Sequence, residues 1–143
     1  LHYPLRRQRQ MCIRDRWQLQ GNLALTRARY ENFVQGGVSR AGNVPQLVPQ
    51  QVANLWASYA ITPTVTASAG VRHVGKVYGN AANTKFWPSY TLLDLGLAWK
   101  VNKTTTLTTR VRNATDRISA AETRDQVYLG APRTLDVTLH TAF

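Results

Sequence analysis

Residues 88–100 have the sequence PSYTLLDLGLAWK, and the alternation within this stretch decides the fold class. One set of alternate positions is apolar throughout: Leu93, Leu95, Leu97 and Trp99. The other set is mixed and contains Leu92, Asp94, Gly96 and Ala98. Successive side chains of a β-strand point to opposite faces, so this pattern predicts a strand with one apolar and one more polar face.

The same alternation recurs along the chain after residue 16. It predicts six strands, at about residues 17–31, 50–60, 64–78, 88–100, 105–112 and 135–143. Alternating segments that are separated by turn residues are typical of antiparallel β structure. We therefore predict an all-β, antiparallel fold.

The connections between these strands alternate in length. Two are short, at 61–64 and 100–105, and three are long, at 32–49, 79–89 and 113–132. This order places every short turn at one end of the sheet, as in outer-membrane barrels with short periplasmic turns and long extracellular loops. The smallest such barrels have about eight strands, so the chain is predicted to be the last six strands of a larger transmembrane β-barrel.

Aromatic residues are expected at the short-turn end of the apolar face. Four residues fit this position: Trp17, Tyr59, Trp99 and Phe143. Aromatic rings favour the level of the lipid headgroups, so the four are predicted to form a membrane-interface girdle. In a soluble protein the same residues would belong to the core, and that alternative stays open.

The charge balance is strongly basic. The 143 residues contain 18 Lys and Arg against 7 Asp and Glu, a formal net charge of +11. Such an excess also suits a soluble all-β module that binds nucleic acid or another polyanion. Five of the arginines lie in residues 1–16, which have no periodic pattern. We predict that 1–16 is a non-native or unstructured basic segment, and that 17–143 is the barrel portion.

No pattern of catalytic or metal-binding residues is apparent in the sequence. The three histidines, His2, His73 and His140, are scattered, and a single cysteine, Cys12, excludes an intrachain disulfide. Neither a Ser/His/Asp set nor a phosphate-binding glycine loop is present. We expect no enzyme activity and no metal site.

Four longer stretches resemble a known family. They are VPQQVANLWASY (48–59), AGVRHVGKVYGNAANTKFWPSYTLLDLGLAWK (69–100), VRNATDR (111–117) and LGAPRTLDVTLHTAF (129–143). Together they are similar to the C-terminal strands of TonB-dependent outer-membrane receptors, and within that family the ferric-siderophore receptors match best.

The resemblance implies a barrel of about 22 strands that holds an N-terminal plug. It implies uptake of a ferric siderophore across the outer membrane of a Gram-negative bacterium, driven by the TonB–ExbB–ExbD complex through an N-terminal region that this chain lacks. Iron would arrive inside the chelate, so no cofactor is bound directly. Outer-membrane lipid would surround the barrel, and the barrel-assembly machinery would recognise the last strand through Leu135, Val137, Leu139 and Phe143.

Ligand contacts are expected from the lumen and the long loops. Cationic and aromatic side chains suit an anionic or aromatic chelate. The candidates are Arg72, Lys76, Tyr78, Phe86, Trp87 and Tyr128. The competing interpretation is that the loop aromatics only pack the loops, and that lumen arginines pair with carboxylates of the plug.

Two alternative functions remain at this stage. A passive, porin-like barrel would share the strand pattern but would not depend on energy coupling. A soluble polyanion-binding module would explain the charge, but it does not explain why the short and long connections are segregated. The receptor interpretation involves no nucleic acid.

Overall fold

The computed structural model describes residues 9–13, 16–123 and 126–142, and of residues 9–13, 120–123 and 126–128 it describes the backbone alone. Seven strands form one antiparallel sheet: β1 (Arg9–Ile13), β2 (Trp17–Leu25), β5 (Gln51–Ala60), β6 (Val65–Val74), β9 (Tyr90–Lys100), β10 (Thr105–Arg112) and β13 (Thr134–Thr141). They lie side by side in the order β1-β2-β5-β6-β9-β10-β13. The predicted all-β, antiparallel fold is confirmed.

Each of the three long connections contains a small two-stranded hairpin. These are β3 (Val34–Gln35) with β4 (Val38–Ser39), β7 (Val77–Tyr78) with β8 (Phe86–Trp87), and β11 (Ala120–Thr123) with β12 (Gln126–Leu129). Because neighbouring strands are antiparallel, all three hairpins lie at one end of the sheet and the turns at 61–64 and 101–104 lie at the other. The predicted segregation of short and long connections is confirmed.

Two of the six predicted strands end several residues earlier than the alternation indicated. β2 stops at Leu25 rather than residue 31, because Tyr30 donates its backbone N–H to Asn43 O within its own connection (2.9 Å). β6 stops at Val74 rather than residue 78, because Val77 and Tyr78 pair with β8 instead of β9. In both cases the end of an alternating segment belongs to a loop hairpin or loop turn.

Part of the segment before residue 16 pairs with the main sheet. Residues 9–13 form β1 and pair in register with β2, from Arg9 opposite Gly21 to Ile13 opposite Trp17. Without β1, β2 would be an edge strand with a row of unpaired N–H and C=O groups, and an adjacent extended segment can pair with such a row. That residues 1–16 are a non-native or unstructured basic segment stays a prediction.

The sheet has an apolar face that no second layer covers within the described residues. On this face the strand registers place four pairs of residues opposite each other: Trp17 and Tyr59, Leu55 and Val71, Ala67 and Leu97, and Leu107 and Leu139. Leu55 is 56% exposed and Val137 is 62% exposed. A soluble sandwich would bury such side chains against a second sheet.

The buried apolar side chains lie instead at the long-connection end. Among the side chains that are described, the buried hydrophobic ones are Val44, Val74 and Ala81. Val74 ends β6, and the other two belong to the connections 26–50 and 75–89. These buried side chains therefore pack the long connections together, and both faces of the sheet remain accessible. In the described ranges, no helix is long and apolar enough to cross a membrane.

Candidate functional site

The face opposite the apolar one is lined by polar side chains, as the alternation predicts. We call this the polar face; it carries Gln18, Gln20, Asn22, Asn54, Trp56, Ser58, Ser68, Arg72, Asp94, Arg110, Arg112 and Asp136. Asn54 donates its Nδ2–H to Asn22 Oδ1 (2.7 Å), and Arg112 pairs with Asp136 (2.7 Å). These bonds run between neighbouring strands and support the register of the sheet.

Trp56 is the one large aromatic side chain among these polar-face residues. Its indole lies across Gly70 on the next strand, so closely that a Cβ on that glycine would overlap the ring. The guanidinium carbon of Arg110 lies 5.8 Å from the ring centroid, within the range of a cation–π contact. A glycine inside a strand often marks such a close approach, so Gly70 is the sequence feature that could have predicted it.

A shallow concavity of the polar face lies beside Trp56. Arg72 and Asp94 border it together with Gln20, Asn22 and Asn54. Arg72 is paired in register with Asn54 on one side and Leu92 on the other. The predicted ligand residue Arg72 therefore lies on the sheet itself, away from the loop hairpins.

Three of the other predicted ligand residues lie together in the connection 75–89. Lys76 donates its Nζ–H to the hydroxyl of Tyr78 (2.9 Å), and its Nζ lies 4.6 Å from the centroid of that ring. The ring of Phe86 is 5.4 Å from the same nitrogen, because Tyr78 and Phe86 are directly opposite each other in the β7–β8 hairpin. We call Lys76, Tyr78 and Phe86 the Lys76 patch.

The remaining two candidates are not part of this patch. Trp87 follows Phe86 on β8 and is paired with Val77, so it points to the other side of the hairpin. Tyr128 belongs to β12, opposite Ala121 in the separate β11–β12 hairpin, and its side chain lies outside the described part of the chain. The structure thus groups the candidates into a sheet residue, a loop patch and two separate loop positions.

The predicted girdle residues occupy the short-turn end of the sheet. Trp17 and Tyr59 are opposite each other, with ring centroids 4.6 Å apart, and Trp99 pairs with Val65 and Leu107 farther along the sheet. Trp17 and Trp99 are 44% and 47% exposed. Phe143 lies outside the described residues.

The predicted assembly signal lies on β13, the strand that borders β10 at one edge of the main sheet. Leu135, Val137 and Leu139 share the apolar face, where they are more than half exposed. This placement leaves their side chains available to lipid or to another protein.

A turn at the long-connection end is organised by Asn113, whose importance the sequence did not indicate. Asn113 is only 4% exposed and has φ +49°. Its Nδ2 donates to Arg117 O (3.0 Å) and Ala131 O (3.1 Å), while its Oδ1 accepts from Arg117 N (2.8 Å). Its backbone N–H donates to Asp94 Oδ1 (2.8 Å). Asn113 therefore ties both ends of the last long connection to β9.

Asp116 belongs to the same turn. Asp116 has φ +51°, its N–H donates to Asn113 O (2.8 Å), and its Oδ1 accepts from Arg133 N (2.8 Å). Arg133 thus contacts the turn through its backbone. Among the described side chains, no three His, Cys, Asp or Glu residues lie close enough to hold a metal ion.

Residues 5–114 match the family model described as TonB dependent receptor-like, beta-barrel. The chain belongs to this family of TonB-dependent receptors. The resemblance inferred from the sequence motifs is thereby confirmed.

Individual relatives agree with this family. The chain is 41% identical over 76 residues to the probable TonB-dependent siderophore receptor PiuA of Acinetobacter baumannii, covering 53% of this chain and 10% of that protein. It is 31% identical over 136 residues to the ferrioxamine receptor of Yersinia enterocolitica, covering 89% of this chain and 19% of the relative.

Two solved receptor structures have a similar fold over the matched residues. The crystal structure of the siderophore receptor PiuA from Acinetobacter baumannii superimposes with a TM-score of 0.83 at 26% identity, over 92% of this chain and 20% of that one. The ferric preacinetobactin receptor BauA from the same species gives 0.76 at 28% identity, over 87% and 19%. The chain thus spans about a fifth of the length of these receptors, or less.

Proposed function

We propose that this chain is a segment of the barrel of an outer-membrane receptor that imports a ferric siderophore. The observation that carries the proposal is the uncovered apolar face, which is continuous from β2 to β13 and is backed by a polar face. In a barrel wall the apolar face contacts lipid and the polar face lines the lumen. The relatives named as siderophore and ferrioxamine receptors supply the class of ligand.

The uptake step requires more than this segment. Energy would come from the TonB–ExbB–ExbD complex, which would act on an N-terminal region and a plug outside residues 1–143. The segment contributes part of the wall, three long loops and the strand that the barrel-assembly machinery would recognise. The protein would be a transporter of the Gram-negative outer membrane and not an enzyme.

The candidate ligand residues have different roles in this proposal. The Lys76 patch lies on a long loop, where it would meet a chelate arriving from outside, and Arg72 lies deeper on the lumen side. Trp87 and Tyr128 would add contacts from other loop surfaces. Lysine and aromatic rings together favour a ligand that is negatively charged or has π-systems of its own.

Iron uptake by the full-length receptor that contains this segment tests the proposal. The receptor would be expressed in a Gram-negative strain that lacks its own siderophore receptors, and the cells would be given radioactive iron as ferrioxamine B or as a ferric tris-catecholate. We expect uptake of one of these chelates that stops when TonB is deleted. Uptake that continues without TonB would favour the passive, porin-like alternative, and absence of uptake of both chelates would contradict the proposed function.

The soluble polyanion-binding alternative makes an opposite prediction. It needs a second layer to cover Leu55, Leu97 and Val137, which are all exposed. A chain of that kind would remain in the soluble fraction, and its binding to nucleic acid would weaken steeply with salt. Recovery of the protein in the outer-membrane fraction would exclude it.

A further inference from the structure

Two of the long connections, 26–50 and 75–89, are joined by a side chain that mimics a peptide group. Asn83 Nδ2 donates to Val44 O (2.8 Å), and Val44 N–H donates to Asn83 Oδ1 (2.8 Å). The Asn83 amide thus pairs with the Val44 backbone in both directions, across 39 residues of sequence. Asn83 has φ +57°, a conformation that asparagine adopts more readily than most residues.

Two more bonds extend this junction. Asn43 Nδ2 donates to Ala81 O (2.9 Å), and Leu47 N–H donates to Tyr78 O (2.8 Å). Val44 and Ala81 are only 7% and 3% exposed, so the bonds lie at a junction with little access to water. Polar groups left unpaired in such a place are costly, so the four bonds should form and break together. We call these four bonds the interloop bridge.

The interloop bridge ends at the Lys76 patch. Tyr78 accepts the Leu47 bond through its carbonyl, while its ring and hydroxyl contact the Lys76 ammonium. Phe86 is held opposite Tyr78 by the β7–β8 pairing. The backbone of the patch is therefore fixed on one side by its own hairpin and on the other by the connection 26–50.

We propose that Asn83 is a positioning residue that holds the Lys76 patch in its ligand-binding arrangement by fastening the connections 26–50 and 75–89 into one rigid unit. The proposal rests on the proposed function, because it assumes that the patch contacts a ferric chelate. Its physical basis is preorganisation: a chelate that meets a patch already in place does not have to order two loops on binding. Asn43 supports the same unit from the opposite connection.

A neighbouring asparagine provides a matched control. Asn80 Oδ1 accepts from Thr84 N (3.0 Å) and Lys85 N (3.2 Å), so these side-chain hydrogen bonds remain within the connection 75–89 and do not reach the connection 26–50. Asn80→Ala should loosen the tip of the β7–β8 hairpin without opening the interloop bridge. Asn83→Ala and Asn43→Ala should both open it.

Hydrogen exchange on the full-length receptor that contains this segment tests the bridge directly. In Asn83→Ala and in Asn43→Ala, we expect exchange at the unaltered amides of Val44 and Leu47 to accelerate about tenfold or more. In Asn80→Ala the exchange rates of both amides should stay within about twofold of their rates in the unmodified receptor. Unchanged exchange at Val44 and Leu47 in Asn83→Ala would overturn the proposal, whatever the ligand.

Ligand binding tests the positioning role. Quenching of tryptophan fluorescence would be titrated with ferrioxamine B and with a ferric tris-catecholate. The affinity of the chelate that binds the unmodified receptor should fall about tenfold in Asn83→Ala, and saturation with that chelate should restore the protection of Leu47. Faster exchange with unchanged affinity, or protection that does not respond to the chelate, would overturn the positioning role. If the unmodified receptor binds neither chelate, the proposed function fails, whereas the exchange data still decide whether the bridge exists.

Discussion

Trp17 and Tyr59 stand opposite each other on β2 and β5, with ring centroids 4.6 Å apart and planes inclined by 42°. Both rings belong to the apolar face and to the end of the sheet that carries the short turns. A tilted pair at this spacing is a favourable aromatic contact, and its position is the one expected at the edge of a bilayer.

This pair should be energetically coupled. A double-mutant cycle with Trp17→Ala and Tyr59→Ala in the full-length receptor should give a coupling energy of about 0.5–1.5 kcal/mol, because each ring loses its partner when the other is removed. Denaturant unfolding from lipid vesicles measures it. Trp99, two strands away from Tyr59, is the control, and the effects of Trp99→Ala and Tyr59→Ala should add. A coupling no larger than that control would contradict the contact.

The two faces of β13 should differ in their tolerance of charge. Val137 lies on the apolar face and its neighbour Thr138 on the polar face. If β13 is part of a barrel wall as proposed, Val137→Arg would place a cation near the middle of the hydrocarbon and should lower the stability of the folded receptor in lipid by about 2–4 kcal/mol. Thr138→Arg should lower the stability far less, since its side chain would face the water of the lumen. The amount of folded receptor is measured by its heat-modifiable mobility on a gel. Equal losses of folded receptor in the two variants would contradict the assignment of the faces.

Asn113 should be the most sensitive residue of the last long connection. Asn113→Ala removes three side-chain hydrogen bonds at a buried position and places alanine at φ +49°. We expect the free energy of unfolding to fall by about 2–4 kcal/mol and proteolysis within residues 114–132 to become faster. Asn102→Ala, in the exposed short turn, removes bonds to Thr104 and Thr105 and should cost about 1 kcal/mol. If the two variants were equally stable, Asn113 would have no special role.

Gly70 should tolerate no side chain while Trp56 keeps its place. Gly70→Ala would overlap the indole, displace it from Arg110 and destabilise the receptor by about 1–3 kcal/mol. The emission spectrum of Trp56, compared with that of a Trp56→Phe variant, reports the displacement. Gly21→Ala is the matched control, since the nearest atom to its new Cβ would be 3.6 Å away, an ordinary contact. Normal stability of Gly70→Ala would show that the ring moves freely.

The sequence predicted the main sheet because its signal is local. Alternation along residues 88–100 follows from the two-residue period of a strand, and it holds wherever one face meets an apolar phase and the other meets water. The strand ends were less predictable. Residues 27–31 lie within a predicted strand, but the backbone N–H and C=O of Tyr30 bond to other residues of the same loop. Arg9–Ile13 lacks alternation yet forms a strand by pairing with β2.

The loop contacts could be predicted only in part. The residue types of the Lys76 patch indicate ligand contacts, and the β7–β8 pairing brings Tyr78 and Phe86 together. The pairing of Asn83 with Val44 joins residues 39 positions apart, and no local pattern marks it. Asn83 and Asn113 are ordinary turn residue types, and only the tertiary fold brings their side-chain amides to partners far along the chain.

The most direct test of the account is whether successive residues of β9 alternate between lipid and lumen. Spin labels would be placed one at a time at Leu95, Gly96, Leu97 and Ala98 in the full-length receptor in lipid, with Cys12 replaced by Ser. Alternation between lipid and lumen predicts that collisions with oxygen, which concentrates in hydrocarbon, are frequent at positions 95 and 97 and rare at 96 and 98. Equal accessibility at all four positions, or better access of a water-soluble nickel reagent than of oxygen at 95 and 97, would contradict it.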